Sequence, residues 1–196
     1  PGNVVHLGGT NDERGVAILL HRFSNTAIRR GDVTSVRQFA EESLAAHHRA
    51  GSFPKGEAQA LSSLAWVARQ EGDPERALEL LSESGRLCEE VGFRWWFSGT
   101  LANAGEVLWE LGRLDEAGSS VQRALTMSSA MNDRFGVVYE LRLLAHIAAA
   151  TGDMQLAGSL LGAAEAAHER APVGPWIHGS PTAGQPPRVD NPELEA

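Results

Sequence analysis

Apolar positions recur three or four residues apart along most of the chain, in segments that each end at a glycine followed by a polar residue. These turns are spaced at intervals of 41, 40 and 40 residues, at Gly31-Asp32, Gly72-Asp73, Gly112-Arg113 and Gly152-Asp153. A three-to-four spacing places apolar side chains on one face of an α-helix. The pattern therefore predicts amphipathic helices around four repeated turns, and strand signals are nearly absent.

Aligning the four segments on their turn glycines reveals columns of similar residues. The position eleven residues before the glycine is always leucine, at Leu20, Leu61, Leu101 and Leu141. The positions seven before and five after it are small, at Ser24, Ala65, Gly105 and Ala145 and at Val36, Ala77, Ala117 and Ala157. Glycine suits the left-handed residue that ends a helix, and aspartate caps the next helix. We therefore predict one helical hairpin in each repeat.

These columns resemble the tetratricopeptide repeat (TPR) from about Glu13 to Arg170. The period of about 40 residues exceeds the usual 34, and the aromatic residue expected four before the turn is absent. The resemblance implies an all-α, right-handed superhelical solenoid of four TPR-like hairpins. We expect an N-terminal extension at 1–12, repeat units at about 13–51, 52–92, 93–132 and 133–171, and a Pro/Gly-rich tail at 172–196.

Three segments, 91–95, 132–136 and the LLGAAEA sequence at 160–166, resemble the C-terminal repeat regions of large bacterial transcriptional regulators of the LuxR and antibiotic-regulatory-protein types. In that family a DNA-binding domain and an ATPase domain precede the repeats. This chain has no glycine-rich loop ending in Lys-Ser or Lys-Thr, and Lys55 is its only lysine. The resemblance therefore implies a regulatory scaffold module, without ATPase activity.

The first helix of each hairpin lines the concave side of such an array, so fixed offsets before each turn identify candidate groove residues. Tryptophan, tyrosine and arginine among them are residue types that concentrate binding energy. The alternative is that Trp66 and Trp109 pack between repeats. The candidates for contact with a partner or ligand are His21, Asn25, Arg29, Gln59, Ser62, Trp66, Arg69, Glu106, Trp109, Glu110, Tyr139, Arg142 and His146.

The densest aromatic cluster, at 94–97, begins the first helix of the third unit. Trp95 shares its column with Phe135, which favours packing between repeats. Trp96 stands where the neighbouring units have Gly56 and Gly136, and so is a further contact candidate if it is exposed.

Charge and composition narrow the function classes. The formal net charge of −8 disfavours direct binding of nucleic acid. The chain has neither a membrane-spanning apolar run nor a signal peptide, so we expect a cytoplasmic protein. Its single cysteine, Cys88, excludes an internal disulfide.

Reactive side chains are scattered, and the sequence predicts no catalytic residue, metal site or cofactor. His47 and His48 are adjacent, so on a helix they point about 100° apart and do not form a chelating pair. No serine lies in a nucleophile-elbow pattern. We therefore expect a non-enzyme that binds a protein or peptide in its concave groove, with small-molecule sensing and self-association as alternatives.

The last helical segment, which begins near Met154, is apolar nearly all round and needs a cover. The proline-rich segment after it cannot continue as helix. There are three alternatives for what covers this helix. Trp176 and Ile177 of the tail fold back as a cap, a second copy forms a homodimer through the last helix, or a further segment of a longer protein packs there.

Overall fold

The computed structural model describes residues 12–170; the predicted tail, with Trp176 and Ile177, and nearly all of the N-terminal extension lie outside the described residues. Between residues 12 and 170 the chain forms α-helices and no strands, which confirms the predicted all-α class. The helices are α1 Glu13–Arg30, α2 Val33–Arg49, α3 Pro54–Gln70, α4 Pro74–Glu90, α5 Arg94–Glu110, α6 Leu114–Ala130, α7 Arg134–Ala150 and α8 Met154–Arg170.

Each helix packs against the helices before and after it in sequence, and the first helices of consecutive hairpins also touch, α1 with α3, α3 with α5 and α5 with α7. This pattern of contacts is typical of a solenoid, in which each repeat contacts only its neighbours. The first helices α1, α3, α5 and α7 form one layer, called here the inner layer, and α2, α4, α6 and α8 form the outer layer.

The predicted turns form as expected. The four turn glycines have positive φ angles between 68° and 86°, which side chains with a Cβ rarely adopt. The amide after each glycine donates back to a carbonyl near the helix end, for example Asp73 N–H to Ala68 O at 2.9 Å. Asp32 and Asp73 then cap α2 and α4 with their carboxylates. Arg113, which lacks such a carboxylate, leaves α6 without a side-chain cap.

Buried serine hydroxyls hold the two helices of the first three hairpins together. In each case the hydroxyl donates to a backbone carbonyl of the partner helix, which is possible only because small residues let the helices approach closely. The pairs are Ser43 Oγ to Ala17 O at 2.9 Å, Ser84 Oγ to Ala58 O at 2.8 Å, and Ser98 Oγ to Ala124 O at 3.0 Å.

Candidate interaction groove

Three inner helices meet in a charged network that joins α3, α5 and α7. Arg69 donates to Glu110 through Nε (2.8 Å) and Nη2 (2.6 Å), and to Glu106 Oε1 through Nη2 (2.9 Å). The Tyr139 hydroxyl donates to Glu106 Oε2 at 2.6 Å. All four residues are among the predicted groove candidates, and the structure brings them together. We call these four residues the Arg69 network.

The Arg69 network carries two carboxylates and one guanidinium, and it is largely buried. The side chain of Arg69 is 12% exposed and that of Glu106 is 3% exposed. Burial works against the charged form of Arg69, but the adjacent carboxylates of Glu106 and Glu110 outweigh it and raise the pKa of Arg69. Because the ions are paired and hydrogen-bonded, the network ties the inner helices together, and removing one partner would leave an uncompensated buried charge.

Partly accessible side chains lie beside this network. The rings of Trp109 on α5 and His146 on α7 are 6.4 Å apart between centroids, and burial lowers the pKa of His146. Arg142 is half-buried, and Glu110 is exposed. Trp109, Glu110, Arg142 and His146 therefore form the accessible part of the inner layer near the network, and we call them the contact patch.

Trp66 belongs to the core rather than to the accessible groove. It is 4% exposed and packs with Ala27, Ile28 and Val67 between the first two hairpins. Within the described residues its indole nitrogen has no hydrogen-bond partner. For Trp66 the packing alternative therefore holds.

A small cleft borders Trp66 on the inner layer. Its lining residues are Ser62, Ala65, Trp66, Arg69, Leu81, Asn103 and Val107. Of the aromatic and arginine candidates, Trp66 and Arg69 line this cleft, whereas Trp109, Tyr139 and Arg142 do not.

The prediction of Trp96 as an exposed contact is wrong. Trp96 is 8% exposed, donates its indole N–H to Ser62 Oγ at 3.0 Å, stacks on Phe93 and meets the His21 ring edge-on. The small residues of α3 leave room for this indole to reach α1. Trp95 is the more exposed neighbour, and its indole donates to Asp133 Oδ2 at 2.9 Å.

The remaining candidates lie in the first two hairpins. His21 is buried, and its Nε2 is 3.1 Å from the Asn25 side-chain amide on the same helix. Arg29 is exposed and Gln59 is half-buried. The Arg69 network contains none of these residues, which lie on α1 and in the first half of α3.

Sequence reasoning missed a buried polar cluster of Ser98, Ser128 and Glu140. Glu140 Oε1 accepts from Ser128 Oγ at 2.9 Å and from Ser98 Oγ at 3.4 Å. Glu140 Oε2 has no hydrogen-bond partner in the described part of the chain. Burial, with a smaller contribution from the nearby Asp133, raises the pKa of Glu140 to about 7, although the hydrogen bonds from Ser128 and Ser98 lower it. The signal was available, since Glu140 occupies the column of Leu19, Ala60 and Thr100, where it is the sole acid.

Residues 12–170 contain no group of three histidine, cysteine or acidic side chains placed to hold a metal ion. Cys88 is buried, and burial raises the pKa of its thiol to about 11. Such a thiol is protonated near neutral pH and therefore unreactive. No described helix is long and apolar enough to span a bilayer.

Comparison with solved structures identifies the fold. BtubC (BKLC) from P. vanneervenii superposes with a TM-score of 0.73 at 18% identity, over 84% of this chain and 67% of that one. A Rap protein complexed with competence and sporulation factor gives 0.77 at 16% identity, over 82% and 44%. A Podosopora anserina putative kinesin light chain with nearly identical TPR-like repeats gives 0.64 at 15% identity, over 84% and 81%.

The fold is a TPR-like helical solenoid. No protein-family model matches the sequence, and no curated protein is significantly similar to it. This chain spans only 59% of RapI and 44% of the complexed Rap protein. At these identities the likeness concerns the fold alone.

Proposed function

We propose that the chain is a non-catalytic interaction scaffold that binds an extended peptide or protein segment along its inner layer. The observation that carries the proposal is the Arg69 network, which fixes α3, α5 and α7 beneath the contact patch. A recognition surface that is rigid before binding loses less conformational entropy when its partner arrives. The network therefore gives the contact patch a preorganised base.

The chemistry of the contact patch indicates what it would recognise. Trp109 and Arg142 are residue types over-represented among binding hot spots. Glu110 is exposed. Arg69 is paired with two carboxylates, those of Glu106 and Glu110, so one negative charge is left in excess. We infer that the bound segment offers an apolar side chain to Trp109 and a cationic one to Glu110.

The biological setting is also a proposal. The segments that resemble bacterial regulators favour a module of a cytoplasmic transcriptional regulator, and the Rap neighbour was solved with a competence and sporulation factor bound. Binding of a metabolite is less well supported, because the cleft beside Trp66 does not gather Trp109, Tyr139 and Arg142. The negative net charge likewise disfavours nucleic acid.

The test uses peptides selected against the full chain from a randomised display library. We expect the Trp109→Ala and Arg142→Ala substitutions together to raise the Kd for the selected peptides by about tenfold or more. The matched control is Gln122→Ala, an exposed position on α6 in the outer layer, which should leave Kd unchanged. Equal binding by the double variant, with its helical circular dichroism intact, would remove the contact patch from the proposal.

A further inference from the structure

The two ends of the array each expose an apolar helix face. At the first end, Leu19 of α1 is 55% exposed, and Val16 and Phe23 are also exposed. The equivalent residues in the other first helices, Ala60, Thr100 and Glu140, are all buried. The preceding outer helix covers Thr100 through Gly85 and Glu140 through Ser128. In α1 that column lies open within the described part of the chain.

At the other end, α8 exposes apolar residues that the earlier outer helices bury. Leu161 is 40% exposed, whereas the equivalent outer-helix residues Ala40, Leu81 and Val121 are buried. Met154 is exposed as well. Leu161 therefore occupies a column that packs on the following inner helix in the second and third hairpins.

The junctions inside the array show what fits these faces. Each outer helix packs on the next inner helix, α2 on α3, α4 on α5 and α6 on α7. At the last of these junctions, Val121 of α6 shares a core cluster with Leu143 and Ile147 of α7. Among residues 12–170, no inner helix follows α8 and no outer helix precedes α1. In this part of the chain, each end therefore displays the kind of helix that would pack on the other.

The charges beside the two faces have opposite signs. Arg22 is exposed beside Leu19 on α1, and Glu165 and Glu169 are exposed on α8. Inside the array Gly85, thirteen residues after its turn, lies over Phe97 and Thr100 of the next inner helix. The same register would set Glu165 over Val16 and Leu19 of a second copy.

Arg22 of that copy lies one turn further along the same face as Leu19. Opposite charges attract when α8 meets α1, whereas two α8 faces would place like charges together. A junction between unlike ends is therefore favoured over one between like ends.

We propose that a second copy of this chain stacks on the first end to end, with α8 of one copy packed against α1 of the next. This contact is heterologous, so it can propagate into open chains rather than close as a two-fold dimer. It uses the end faces and leaves the contact patch accessible, and so extends beyond the proposed groove function.

Cysteine crosslinking of the full chain tests the arrangement. We expect an equimolar mixture of Leu19→Cys and Leu161→Cys chains to form a disulfide-linked dimer on mild oxidation, whereas neither variant alone does so. A chain with both substitutions should form a ladder of longer species. Gln122→Cys and the wild type, whose Cys88 is buried, serve as controls and should remain monomeric on denaturing gels.

Each competing occupant gives a different result that would overturn the proposal. Crosslinking of Leu161→Cys alone indicates like ends in contact. Protection of that cysteine from a maleimide in the dilute monomer, lost when residues 172–196 are deleted, indicates that the chain's own tail covers α8. A maleimide-accessible cysteine with no crosslinking at high concentration indicates no self-association.

Sedimentation velocity supplies an independent measurement. Leu161→Asp should weaken association by about tenfold or more, because it places a charge where the proposed interface buries a leucine. Glu165→Arg should weaken it by about threefold, and mixing that variant with Arg22→Glu chains should restore it. Association that is unchanged by all three substitutions would contradict the interface.

Discussion

Glu106 and Glu140 are buried carboxylates on neighbouring inner helices, α5 and α7, but their surroundings differ. Glu106 accepts from Arg69 and Tyr139, so its charge is paired and bridged across three helices. In the part of the chain that the structure describes, Glu140 accepts only from Ser98 and Ser128, through one oxygen, and its pKa is raised to about 7. One acid has a cationic partner beside it, and the other has hydroxyl groups.

The difference shows that burial alone does not assign a role to an acid in this array. Beside a guanidinium, a buried carboxylate ties adjacent repeats together and supports the proposed contact patch. Among hydroxyl groups, a buried carboxyl has a raised pKa, and we expect the packing of α7 on α5 and α6 to depend on pH for that reason. Four substitutions, in order of decreasing effect, test this contrast.

Removing Arg69 should have the largest effect. Arg69→Ala leaves Glu106 buried without its cation, and we expect the free energy of unfolding to fall by about 3–5 kcal/mol. Urea denaturation followed by circular dichroism measures this loss. Arg76→Ala removes an exposed arginine paired with Glu79 on one helix, and should change stability by about 0.5 kcal/mol or less. Similar losses in the two variants would show that the Arg69 network has no special role.

The second prediction concerns pH. The folded-state pKa of Glu140, about 7, lies above its ordinary value of 4.5, so the folded chain binds more protons than the unfolded chain between these values. Stability contributed by Glu140 is therefore fully present below pH 4.5 and is lost as pH rises through 7. We expect a loss on the order of 2–3 kcal/mol across this window, and Glu140→Gln should remove it.

Comparing the free energy of unfolding of the wild type with that of Glu140→Gln at each pH separates the contribution of Glu140 from that of the histidines. Burial lowers the pKa of His47 and of His146, so these residues make the folded state more stable as pH rises through their range. Their contribution is common to wild type and Glu140→Gln and cancels in the difference. A difference that stays constant between pH 4.5 and 8 would mean that Glu140 is ionised throughout.

A smaller effect is expected from Tyr139→Phe. The substitution removes the hydroxyl donor to Glu106 but leaves Arg69 in place, so the carboxylate keeps its cationic partner. Loss of a hydrogen bond to a charged acceptor should cost about 1.5–3 kcal/mol in urea denaturation. Thr126→Ala, which removes an exposed hydroxyl from α6, is the control and should change stability little. If both variants match the wild type, the Tyr139 bond adds nothing to the network.

The smallest effect is expected from Ser128→Ala, which deprives Glu140 of its shorter hydrogen bond. Since that bond favours the ionised carboxylate, the pKa of Glu140 should rise by about one further unit. Carboxyl carbon chemical shifts, recorded across the titration by NMR, report this change directly. A pKa that falls, or stays fixed, would show that Ser128 does not stabilise the charge.

Sequence periodicity was sufficient for the architecture, because each turn needs glycine at a positive φ and small residues where helices cross. It was also sufficient to place Arg69, Glu106, Glu110 and Tyr139 on one face. Periodicity did not predict the burial of Trp96. The room for that indole depends on small residues of the neighbouring helix α3, and comparing equivalent positions of different repeats does not reveal contacts between helices.

Glu140 was missed for a related reason. A helical pattern treats an acid as an outward-facing residue, and only its column, shared with buried Ala60 and Thr100, indicated otherwise. Trp66 could not be assigned from sequence, because an aromatic residue on an inner helix serves packing and binding equally well. Three-dimensional packing between repeats decides such cases.

The most direct test of the central claim, that the inner layer is the interaction surface, is photo-crosslinking in cells that produce the chain. A benzophenone side chain replaces either Trp109 in the contact patch or Gln122 in the outer layer. We predict a crosslinked partner from position 109 and none from position 122. A partner captured from position 122, with none from position 109, would contradict the account.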